Sequence, residues 1–123
     1  MVTDKLVTLK TAKLAKEKRF TWTCYHVFSD GLTEDIYWKN SYAKRDANNY
    51  ARPTQGRLAK WLRERKGIVV SVDIDDTLTY FITITFLKGG KYMGAEHYGE
   101  YKTYEQALEA GLQDALDCVG VIT

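Results

Sequence analysis

A chain of 123 residues is one domain's worth of sequence, long enough to bury a core without metal or disulfide staples. Its 45% hydrophobic and 28% charged composition is that of a soluble globular protein, and its apolar runs are too short to cross a bilayer. No uninterrupted apolar segment of the secretion type opens the sequence, so a cytoplasmic location is expected, and Cys24 and Cys118 form no framework and read as free buried thiols.

In chain order, Val2 to Phe20 contains a first helix with Thr8 as N-cap and a narrow stripe of Leu9, Ala12 and Ala15. Thr21 to Phe28 and Leu32 to Trp38 alternate as a first hairpin around Ser29-Asp30-Gly31, and Asn40 to Arg52 has no periodicity and reads as a long loop. A basic helix is predicted over Thr54 to Lys66, with Pro53 suited to its first turn and Gly67 to a left-handed stop. Leu58, Trp61 and Leu62 share one face, with Arg65 near that stripe, and Arg57, Lys60, Arg63 and Glu64 project from the other.

Ile68 to Asp75 and Thr77 to Leu87 alternate as a second hairpin. Parity pairs Ile74 with Leu78, Val72 with Tyr80, Val70 with Ile82 and Ile68 with Ile84, leaving an odd-numbered loop of Asp75, Asp76 and Thr77. Gly89-Gly90 marks a turn, and the tyrosine-rich residues Lys91 to Lys102 are poor in periodicity, with a short edge strand as one reading. Thr103 and Gln106 have capping-box spacing before a helix over Tyr104 to Cys118, whose stripe is Ala107, Leu108, Gly111, Leu112, Ala115, Leu116 and Val119. The order α-ββ-α-ββ-(β)-α predicts one α+β domain over residues 1–123, an antiparallel sheet of about four strands with helices packed on one face.

Val69 to Thr79 contains Asp73-Ile74-Asp75-Asp76-Thr77 and resembles the first motif of the haloacid dehalogenase phosphatases. That resemblance implies Asp73 as a nucleophile toward phosphorus, Asp75 as acid and base, and a bridging Mg²⁺. The chemistry also requires a parallel sheet with crossover helices and later metal-site residues, and only 44 residues follow Thr79. A hairpin turn accounts for the motif, and no catalytic residue or cofactor is assigned.

Three segments, Val7 to Lys18, Pro53 to Glu64 and Thr103 to Leu112, are similar to a group of small uncharacterised proteins of phages, prophages and mobile elements of gut anaerobic bacteria. The resemblance implies a genomic setting and no activity. Charge is the remaining functional signal: residues 1–20 carry +4, 21–38 carry −3, 39–66 carry +7 and 67–123 carry −6. Lys44, Arg45, Arg52, Arg57, Lys60 and Arg63 are the candidate nucleic-acid contacts, because clustered cations neutralise a phosphate backbone. Tyr92, Tyr98 and Tyr101 are candidate contacts for a protein partner or for self-association. Cys24, His26, His97 and Cys118 lack finger-type spacing, so no metal site is assigned. The expectation is a non-enzymatic binding or interaction domain of unknown partner, with a nucleic-acid binder as the alternative, and with neither membrane nor small-molecule ligand implied.

Overall fold

The computed structural model describes residues 5–22, 24–28, 35–41, 50–89 and 91–120. It is α+β, with a helix toward each end and antiparallel strand pairing throughout, as the alternation of hairpins and helices implied. Among the described residues the strands form two three-stranded sheets instead of one sheet of about four. The chain divides into two compact units, Met1–Arg57 and Leu58–Thr123.

In the first unit, α1 spans Leu9–Glu17, and the Thr8 hydroxyl accepts a hydrogen bond from the Thr11 amide at 3.4 Å, the expected N-cap. Its buried face is Thr11, Ala12 and Ala15, while Leu9 is only half-buried. Thr11 is tolerated there because its hydroxyl lies 3.2 Å from that of Thr8. Strand β1, Cys24–Phe28, runs centrally between β2, Asp35–Ser41, and β3, Tyr50–Arg52. The expected hairpin is therefore present, while the segment expected to be a long loop ends in a strand that completes the sheet. The turn at Ser29-Asp30-Gly31 lies outside the described residues. Ahead of α1, the Val7 amide donates to the Pro53 carbonyl at 3.0 Å and the Gln55 amide donates to the Lys5 carbonyl at 2.7 Å. Pro53 therefore precedes the helix cap; the cap is Thr54, whose hydroxyl accepts from the Arg57 amide at 3.1 Å.

Helix α2, Gln55–Trp61, continues into a π-helical turn over Leu62–Lys66, closed by the Gly67 amide donating to the Leu62 carbonyl. Leu58, Trp61 and Leu62 are buried as the stripe required. The wider π turn rotates the last side chains about the helix axis. Arg65, which α-helical spacing placed near the stripe, is exposed, and Lys66 is half-buried with its ammonium 5.4 Å from the centre of the Trp61 ring.

The second unit is a meander of β4, Ile68–Ile74, β5, Tyr80–Lys88, and β6, Lys91–Tyr101, with α3, Tyr104–Cys118, packed on one face. Parity is as expected, and Ile68, Ile82, Ile84 and Phe86 are buried. The register is displaced by two residues: Ile74 pairs with Tyr80, Val72 with Ile82, Val70 with Ile84 and Ile68 with Phe86. The loop is thus Asp75 to Thr79, still odd-numbered, and Leu78 lies in it, 76% exposed and with φ of 63°, instead of facing the core. The cause is the Asp75 carboxylate. Its Oδ1 accepts from the amides of Thr77 and Thr79 at 2.9 and 3.1 Å and from the Thr77 hydroxyl at 2.6 Å; the Thr79 bond reaches past the end of a three-residue loop, where Thr79 would stand in the ladder opposite Asp73.

Residues 91 to 101 form a full-length edge strand, with two bulges, and not merely a short one. Helix α3 has the expected bounds; Thr103 accepts from the Gln106 amide at 3.1 Å, and every predicted stripe residue is buried.

Candidate nucleic-acid interface

Four cations of the second unit, Arg63, Arg65, Lys66 and Lys88, gather at one end of its sheet. Gly67 adopts φ of 67°, turning the chain from the π turn into β4, and its carbonyl accepts from the Leu87 amide at 2.7 Å. This bond holds the basic turn beside the end of β5. At the neighbouring bulge, Phe86 pairs with Gly94 and Leu87 with Tyr92, so Met93 is the additional residue, 61% exposed. Between these segments lies an open cleft of about 560 Å³. Arg63, Arg65, Lys66 and Lys88 line it, opposed by Glu64 alone, with Leu87 and Met93 as apolar lining.

Glu64 is shared weakly: its carboxylate lies 3.8 Å from the Lys60 ammonium and 4.0 Å from the Arg63 guanidinium, all on the surface. Among the described residues, Arg65, Lys66 and Lys88 have no carboxylate in ion-pair range. Cations in this condition attract polyanions, because like charges held together raise the local potential that a phosphate relieves.

The sequence-derived basic residues divide. Arg63 lines the cleft and Lys60 is on the surface nearby through Glu64. Arg52, in the first unit, is used structurally: its Nε donates to the Val7 carbonyl at 2.8 Å and its guanidinium lies 4.5 Å from the centre of the Phe28 ring. Arg57, also in the first unit, lies over the Trp22 ring at 5.0 Å. Lys44 and Arg45 lie outside the described residues. Arg65, Lys66, Lys88 and Met93 were missed. Arg65 and Lys66 were visible as charge, but their placement depends on the π turn, and Lys88 comes alongside only through strand pairing.

Of the tyrosines, Tyr92 is 68% exposed and sits opposite Leu87. Tyr101 is half-buried with its ring over Gly99, where the second bulge sits opposite Phe81. Tyr98 pairs with Ile82 in the ladder, and its side chain lies outside the described set. Asp73 pairs with Phe81 in the antiparallel ladder and Asp75 caps the loop, so the phosphatase-like motif occupies a hairpin and not the end of a parallel strand. Thr77 draws the Asp75 carboxyl below the usual carboxylate range through its hydroxyl, with the Thr79 amide adding to the effect. His97 Nδ1 lies 2.9 Å from the Thr83 hydroxyl, and no cluster of three potential metal ligands occurs among the described residues. No helix among the described residues is long and apolar enough to cross a membrane.

The second unit is, by class, a three-stranded antiparallel meander backed by one helix, with a basic cleft at one end of its sheet. The chain matches no family model, and no curated protein and no solved structure is significantly similar to it.

Proposed function

We propose that the second unit is a binding module that takes the phosphate backbone of a nucleic acid in the cleft between the π turn and the β5 end, acting in the cytoplasm and by binding alone. The observation that carries this reading is the convergence of Arg63, Arg65, Lys66 and Lys88 from two separate segments onto one open cleft with a single acidic residue. An open cleft suits a continuous chain of phosphates better than an enclosed small molecule. A phage or mobile-element setting is a further proposal, supported only by the three similar segments.

The test is titration of double-stranded DNA, single-stranded DNA and RNA at about 50 and 200 mM salt. Four phosphate contacts imply a log-log slope of roughly −3 to −4 on duplex DNA, a loss of about a hundredfold across that interval. Arg63→Glu/Arg65→Glu should abolish binding. Absence of binding at the lower salt overturns the proposal, and binding that survives the double reversal moves the site away from the cleft.

A further inference from the structure

At the other end of the same sheet is a surface of opposite character. The β4–β5 loop presents Leu78 at 76% exposure, and beside it Ile74 and Tyr104 are 49% and 48% exposed. Ile74 pairs with Tyr80, whose ring meets Tyr104 edge-on at 6.4 Å between centroids, and Leu78 lies in the loop that joins Ile74 to Tyr80. Asp73, Asp75 and Asp76 surround this apolar tip, all exposed. An apolar patch with a charged rim at a hairpin tip has the composition of an interaction surface.

The complement of that tip is present in the same unit. The cleft holds four cations and one carboxylate, a net +3, against three carboxylates at the tip with Lys102 the one cation beside Tyr101 and Tyr104, a net −2, and each surface includes an exposed apolar side chain, Met93 and Leu78. A tip cannot reach the cleft of its own copy, because seven-residue β4 separates them by about 20 Å of paired strand. We infer that the Asp73–Leu78 tip of one copy docks into the Arg63–Lys88 cleft of a second, so that the chain associates head to tail. Such a contact is heterologous and leaves one tip and one cleft unfilled in every pair, so it propagates into a ring or an open chain. Charge complementarity sets the orientation, and Leu78 against Leu87 and Met93 supplies the apolar contact.

This inference uses the same cleft as the proposed nucleic-acid site but does not depend on that reading, and association is measured on protein freed of nucleic acid. The experiment is sedimentation velocity of the full chain over rising concentration at about 50 mM salt. The wild type should form concentration-dependent oligomers that dissociate as salt is raised. Arg63→Glu/Arg65→Glu, with both ends acidic, and Asp73→Lys/Asp76→Lys, with both ends basic, should each be monomeric alone, and an equimolar mixture should associate again. Leu78→Ser, at an exposed position, should weaken association roughly tenfold or more and decides the matter should a reversal fail to fold. A monomeric wild type, variants that associate as the wild type does, or a mixture of folded variants that stays monomeric overturns the inference.

Discussion

Gly67 and Leu87 are joined by a backbone hydrogen bond of 2.7 Å, and a Cβ at position 67 would stand 2.6 Å from the Leu87 carbonyl oxygen. That approach extends the β4–β5 ladder one step beyond Ile68 and brings the basic π turn to Lys88. Gly67→Ala therefore combines a left-handed backbone with a clash against main chain that has no rotamer to yield. A loss of about 2 kcal/mol or more is expected in denaturant unfolding, with anion binding weakened in the same variant.

At Gly111, α3 packs tightly against its sheet. A Cβ there would lie 2.7 Å from Val70 Cγ1 and 3.3 Å from Ile82 Cδ1. Gly111→Ala should gain about 1 kcal/mol of helix propensity and lose more than that by overpacking a stiff, branched neighbour. The net expectation is a loss of about 1 kcal/mol, and a larger one for Gly111→Leu; chemical denaturation of both variants orders them.

The Asp75 network predicts a pH dependence. Its carboxyl is held below the ordinary value by the Thr77 hydroxyl and then the Thr79 amide, so the folded form favours the ionised state. The stabilisation is complete above the unfolded carboxylate value of about 3.9 and is lost as pH falls through the depressed folded value. Asp75→Asn should lower the thermal midpoint at neutral pH, and the gap to the wild type should narrow in acid. A gap that stays constant down to pH of about 2 would show that the carboxylate charge contributes nothing.

Thr103 caps α3 through the Gln106 amide. Thr103→Ala should cost about 1 kcal/mol, and Thr103→Ser should restore most of it, measured as the shift in urea midpoint.

Along the chain, what was legible locally was element type. The caps at Thr8 and Thr103, the Gly67 stop, the buried stripe of α3 and the inward parity of β4 and β5 all depend on interactions within a few residues, so residue order alone determined them. Register was different. Parity permits Ile74 to face either Leu78 or Tyr80, and the longer loop is the one in which the Thr79 amide reaches the Asp75 carboxylate.

The strand β3 and the length of β6 were hidden for a related reason: an edge strand is stabilised by its partner's backbone more than by its own side-chain pattern. The candidate cleft shows the same division. Three of its four cations lie within residues 39–66, whose net +7 determined that some face would be basic. Which cations converge was decided by the tertiary structure: the π turn exposes Arg65, aromatic and backbone partners hold Arg52 and Arg57, and the Gly67–Leu87 bond brings Lys88 across from a segment more than twenty residues away.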